Sequence, residues 1–240
     1  MIDILTREPL TIAIWEQLIR LTSLRPAGWT LVGAQMVALH GHEHGKVPPR
    51  GTTDADVLVN VRAVQDATES FSRLLVDQQF RLDGVSPEGI GHRFSNGTVK
   101  IDVLAPDGLD KRRSRLTTVP PARTVRVPGG TQALQRTELV DVRLGELSGQ
   151  VPRPNLLGAI LIKARAVEVD DVPESQLGDL AFLLTLVSDP RALLSVFRGK
   201  ERSWLRRRHE LVDRNAAPWR GLPGEDADNG HIAFRILTGL

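Results

Sequence analysis

Gly33-Ala34-Gln35-Met36-Val37-Ala38-Leu39-His40-Gly41, then after a loop Arg50-Gly51-Thr52-Thr53-Asp54-Ala55-Asp56-Val57-Leu58-Val59, is the stretch on which the reading of this chain turns. Asp54 and Asp56 open a run of strand-forming residues, and side chains two apart on a strand leave the same face roughly 7 Å from each other. Two such carboxylates repel one another unless a cation lies between them. Hard, oxygen-liganded Mg²⁺ or Mn²⁺ is the usual answer, and a nucleoside triphosphate could supply the remaining oxygens.

Working outward, Trp29-Thr30-Leu31-Val32 reads as a strand that meets Gly33 and turns into a short helix. Glycine admits close backbone approach, and the N–H groups that open a helix favour phosphate. The order is therefore strand, glycine turn, helix, loop, acidic strand, with a phosphate site about twenty residues ahead of a metal site. An isolated Asp-x-Asp or Val-Gly carries little information; the order carries more.

With Gly33 and its helix, Arg50-x-Thr52-x-Asp54-x-Asp56 and the apolar strand that follows, the chain resembles the nucleotidyltransferase core of the polymerase-beta type. It is most similar to the AbiEii-type family, toxins of two-gene abortive-infection and type IV toxin–antitoxin systems. The family usually has Gly-Ser or Gly-Gly where this chain has Gly33-Ala34, so a hydroxyl is absent and the Ala34 backbone N–H remains as donor. The resemblance implies an α+β fold and Mg²⁺ or Mn²⁺ held by Asp54, Asp56 and a third carboxylate. It also implies nucleotide contacts from Gly33, Ala34, Arg50 and Thr52, an RNA or tRNA acceptor, and a possible cognate antitoxin protein.

The third carboxylate is expected at Asp102. Asn96-Gly97 between Gly91–Ser95 and Thr98–Leu104 signals a hairpin, and alternation of Val99, Ile101 and Val103 sends Asp102 and Lys100 to the other face. Considered alone, Asp102 would be a solvent-facing strand residue; its place in the series makes it a metal ligand and catalytic group in the family pattern. Further on, Lys163-Ala-Arg-Ala and Gly178-Asp179-Leu resemble the later family motif of a lysine on one helix and an acid on the next. That likeness makes Lys163 a catalytic and phosphate-binding residue and Asp179 its support. The alternative is a buried Lys163–Asp179 pair that merely joins two helices.

The rest of the chain frames these residues. A packing helix is expected from about Glu8 to Leu24, stopped by Arg25-Pro26-Ala27-Gly28, and a crossover helix from Ala63 to Phe80. His40, His42 and His44 suggest a polar loop at the mouth of the site, where alternating histidines could also bind a transition metal. Lys111–Arg115 reads as a basic loop, and Thr124–Val127 and Leu139–Leu144 as further strands.

Composition changes near Gly149, which places a mixed-sheet domain over residues 1–150 and a helical domain that closes the site over 151–240. In the second part, a helix from Leu156 is followed by one from about Glu174 to Val187, apolar nearly all round. Arg198 to His209 is densely basic, and Gly221 to Gly230 reads as a loop before a last short element.

The chain has 240 residues, 41% hydrophobic content and a net charge of only +2, ample for a sizeable core. No apolar run approaches the roughly 18 residues of a membrane-spanning helix. Nor does a basic, then apolar, leader open the chain, so no membrane partner and a cytoplasmic location are expected. Aromatics are only 4% with no tyrosine, which supplies a base-stacking surface poorly.

The expected activity is metal-dependent transfer of a nucleoside monophosphate from a triphosphate to an acceptor hydroxyl. Two rivals use the same residues: a small-molecule, antibiotic-type nucleotidyltransferase, and a catalytically silent domain that binds nucleotide or a partner protein.

Overall fold

Trp29–Val32 (β2) is buried along its whole length, and Ala55–Val59 (β3), which lies antiparallel against it, buries every residue but Asp56. Neither face of these apolar runs could be left in water at acceptable cost; β3 is an interior strand of the sheet and β2 its edge. The computed structural model describes residues 1–48, 50–109 and 116–240. The expected basic loop Lys111–Arg115 lies outside the described residues.

The larger sheet runs in the order β2-β3-β6-β5-β4, with β4 Arg81–Leu82, β5 Arg93–Ser95 and β6 Lys100–Pro106. β3 and β6 are parallel and the other pairs on this path antiparallel, while Arg126–Val127 (β7) continues beside the end of β6. The parallel β3–β6 step requires a crossover, supplied in part by α3, Ala67–Asp77. A second sheet has the order β1-β8-β9, from Ile2–Asp3, Thr137–Leu144 and Leu147–Pro154. The fold is mixed α+β.

Helix α1 spans Pro9–Leu24, and Glu8 caps it by accepting from the N–H groups of Leu10 and Thr11. It packs on β9 through its buried face, including Trp15 and Leu18. Helix α2, Gly33–Glu43, starts directly where β2 ends, and no side chain caps its N-terminus. It includes His40 and His42, which corrects the expectation of a polar histidine loop from residue 40. His40 is only 1% exposed and sits against the Pro154 carbonyl and the Arg153 guanidinium, so tertiary packing carries the helix through it.

Beyond a short helix α4, Gly130–Gln135, the chain passes through β8 and β9 into α5, Leu156–Ala166, and α6, Pro173–Leu184. Residue 150, the expected boundary, falls within β9, whose strand runs on to Pro154. Helix α6 is buried along most of its length and packs on α5 and on α10, Gly224–Thr238. Between them lie α7 Pro190–Ser195, α8 Glu201–Arg206 and α9 Ala217–Arg220.

The loop expected over Gly221–Gly230 is corrected: α10 begins at Gly224. Glu225 and Asp226 in its first turn suit the positive end of the helix dipole. At Gly230 a side chain would meet Trp219 at 2.9 Å, so this glycine serves close helix packing rather than a turn. No helix among the described residues is long and apolar enough to cross a membrane.

Candidate active site

The junction of β2 with α2 brings backbone and carboxylate together. Gly33 has φ +69°, the left-handed region that glycine enters freely, and a Cβ added to it would lie 1.8 Å from Asp56 Oδ2. No other residue fits there while Asp56 keeps its place. The uncapped N-terminus of α2 leaves its first N–H groups beside this carboxylate without an intrahelical partner.

Strand register gathers the acids. Asp56 on β3 pairs across the ladder with Asp102 on β6, and Asp54 precedes Asp56 by two residues. Asp102 is 5% exposed, so the solvent-facing alternative for it is overturned. Burial, then the charges of Asp102 and Asp54, push the Asp56 carboxyl up to about 7, against the opposing pull of Lys163 and Arg93. Three carboxylates this close repel one another unless a cation stands between them.

Arg93 on β5 occupies the gap. Its Nε and Nη2 donate to the two oxygens of Asp102, both at 2.8 Å, and Nη2 also donates to Asp54 at 2.9 Å. The bidentate bond to Asp102 holds Arg93 firmly in its charged form. Composition did not single out Arg93, but the Asn96-Gly97 hairpin could have: its register pairs Ser95 with Lys100, Phe94 with Ile101 and so Arg93 with Asp102. Thr52 donates to Asp54 at 2.5 Å, which positions that carboxylate.

On the helical side, Lys163 of α5 and Asp179 of α6 form a buried ion pair at 2.8 Å, with side chains 4% and 1% exposed. Arg50 reaches the same carboxylate in bidentate fashion, at 3.1 and 2.8 Å. Lys163 also donates to Gln176, whose amide in turn donates to Asp170. Asp179 is thus satisfied by two cations, which offsets the high cost of placing an acid inside an apolar helix.

Gly33, Asp56 and Lys163 line one cavity of about 240 Å³ together with Val125, Val127 and Ile162. Ala34, Arg50 and Thr52 line a second cavity of about 280 Å³. Asp54, Asp102 and Asp179 line neither cavity: Arg93 ties Asp54 to Asp102, and Arg50 and Lys163 converge on Asp179. His42 is half-buried and His44 bonds back to the His40 carbonyl, and among the described residues the three histidines form no group that could hold a metal.

The donor set has the chemistry for hard cations: three carboxylates, with Asp56 raised by its neighbours. Among the described residues, however, no three His, Cys, Asp or Glu side chains stand arranged around a metal position. Arg93 takes the oxygens of Asp102 and Asp54 instead. A hard cation would be held there only in exchange for Arg93. No protein-family model matches the chain, and no curated protein matches it.

Proposed function

We propose that this protein is a nucleotidyltransferase of the AbiEii-like, polymerase-beta type, which moves a nucleoside monophosphate from a nucleoside triphosphate to an acceptor hydroxyl. The observation that carries this reading is the single cavity lined by Gly33, Asp56 and Lys163. A glycine at a helix start, a carboxylate beside it and a buried lysine suit triphosphate binding and in-line transfer.

Each residue has a role in this reading. The backbone amides of Gly33 and Ala34 donate to phosphate oxygens, and the absence of a Cβ at Gly33 keeps the Asp56 carboxylate against them. Lys163 offsets charge on the phosphates while Asp179 holds its ammonium in place, and Arg50, 37% exposed, is free to turn from Asp179 toward a phosphate. Asp54, Asp56 and Asp102 would hold Mg²⁺ or Mn²⁺, which supplies charge stabilisation of the leaving pyrophosphate and activation of the acceptor hydroxyl. Arg93 keeps Asp54 and Asp102 paired until then.

RNA, including the end of a tRNA, is the acceptor class proposed, with an antitoxin protein as a possible partner and the cytoplasm as the setting. One observation favours a second reading, a silent nucleotide-binding domain: Arg93 already satisfies two of the carboxylates, and Ala34 brings no hydroxyl. Pyrophosphate release separates the readings. Release with total tRNA supports RNA transfer, release only with small hydroxyl compounds supports an antibiotic-type enzyme, and release with neither supports the silent domain.

A further inference from the structure

Gln176 precedes Asp179 by three residues on α6, so the two side chains share a helix face, and both meet Lys163 of α5. The Lys163 ammonium donates to Asp179 Oδ2 at 2.8 Å and to Gln176 Oε1 at 2.9 Å. Asp179 Oδ2 is shared, since Arg50 Nη2 donates to it as well. An ammonium carries three N–H donors and no acceptor. Two are taken, and among the described residues the third has no protein partner, on a side chain that lines the cavity with Gly33 and Asp56.

Asp170, in the turn between α5 and α6, holds the Gln176 amide in turn. Its Oδ1 accepts from the Val172 N–H at 2.8 Å, which closes the turn ahead of Pro173, and its Oδ2 accepts from Gln176 Nε2 at 2.6 Å. A carboxylate only accepts and an ammonium only donates, so one orientation of the amide satisfies both neighbours. The reverse would set an N–H against the ammonium and an oxygen against the carboxylate. Asp170 and Gln176 are half-buried and line the cavity, where a mispaired polar group costs more than in water.

We propose that Asp170 and Gln176 are positioning residues for Lys163. Asp170 fixes which way round the Gln176 amide lies, and the amide oxygen, together with Asp179, then sets the direction of the remaining ammonium donor. The identity of the ligand that this donor meets, a phosphate chain, rests on the nucleotidyltransferase reading; the relay from Asp170 to Lys163 does not. The competing role for Asp170 is to close the turn before α6 or to add a negative charge beside the cavity.

Isosteric changes separate these roles. In Asp170→Asn the side-chain oxygen keeps the bond to the Val172 N–H, the new NH₂ faces Gln176, and the amide must turn round and present its own N–H to Lys163. In the double variant Asp170→Asn/Gln176→Glu the carboxylate at 176 accepts from both neighbours, and the charge of the pair is unchanged. Asp171→Asn removes the same charge at an exposed neighbour. The measurement is the ¹H–¹⁵N correlation of the Lys163 ammonium in the intact protein, assigned with Lys163→Met, first without ligand and then with tripolyphosphate. Asp170→Asn should displace or broaden the ligand-free signal and weaken tripolyphosphate binding about tenfold. Asp171→Asn should leave the signal in place, and the double variant should bring binding back to within about twofold of wild type. Gln176→Met, which removes the acceptor and leaves the turn intact, should displace the signal by itself even if Asp170→Asn does not fold.

An unchanged signal in Asp170→Asn or Gln176→Met, an equal displacement in Asp171→Asn, or no recovery in the double variant would overturn the relay. A wild-type signal that tripolyphosphate does not move would overturn the phosphate as the ligand. Because the ligand-free spectra need no turnover, the two claims separate. Nucleotide transfer with no response of the signal to Asp170→Asn overturns the relay alone, and the expected spectra without transfer overturn the transferase alone.

Discussion

Gly33 and Asp56 define the site at the smallest scale. In Gly33→Ala the new methyl must displace the Asp56 carboxylate or reshape a turn with φ +69°. A loss of about 1–3 kcal/mol in stability by urea unfolding is expected from overpacking alone, together with loss of transfer. Wild-type stability and activity in that variant would contradict the close approach. The order glycine, helix, acidic strand is legible from sequence because each part is local. Arg93 is not, because a carboxylate's partner is fixed by strand register, and here it lies on β5, nine residues before Asp102 in the chain. For Arg93→Ala, Mn²⁺ titration should show tighter binding than in the wild type, since the resident guanidinium no longer competes for Asp54 and Asp102. Weaker binding would show instead that Arg93 assembles the carboxylates.

Between elements, two junctions set the position of the helices. Asp179 joins α6 to α5 through Lys163 and to the loop before β3 through Arg50. Among the described residues Asp179→Ala leaves the buried Lys163 with Gln176 as its one partner, and a loss of about 3 kcal/mol is expected. Arg50→Ala, at a half-exposed side chain with Asp179 still paired, should cost only about 0–1 kcal/mol. Equal losses in the two urea titrations would contradict this division.

The other junction ties α2 to β9, where His40 meets Arg153. Burial, then the Arg153 charge, hold the His40 pKa well below 6.5. Its contribution to stability is therefore present above pH 6.5 and lost as the pH falls below it, because only the unfolded chain takes up the proton. Asp56, raised to about 7, acts in the opposite sense over part of that range. The prediction is accordingly a difference: between pH 7.5 and 5, wild type should lose more stability than His40→Gln. The same element shows what sequence conceals. Alternating histidines and a following Gly-Lys suggest a loop, yet helix α2 continues to Glu43 because buried tertiary packing outweighs local preference.

Across the whole molecule, the α+β character followed from strand-like runs ahead of residue 150 and a helical pattern from Leu156. The boundary itself was less legible, since Pro152 and Pro154 read as punctuation but lie within β9. The basic segment is also modified by the fold. Arg207 and Arg208 pair with Glu168, and Arg202 donates to the Leu237 carbonyl, which leaves Arg198, Lys200 and Arg206 as the better candidates for an RNA backbone. Changing those three to Gln should lower the salt slope of RNA binding by about 0.7–0.9 for each phosphate no longer neutralised and leave triphosphate binding unaltered. An unchanged slope would mark the segment as a solvated face. The most direct measurement is transfer of label from each α-³²P nucleoside triphosphate to total tRNA with Mg²⁺ present, comparing wild type with Asp56→Asn. The account predicts labelled RNA with at least one triphosphate and a drop of about 10²-fold or more in the variant. Label transfer within a few-fold of wild type in Asp56→Asn, or no transfer by the wild type to RNA or to any small hydroxyl acceptor, would contradict it.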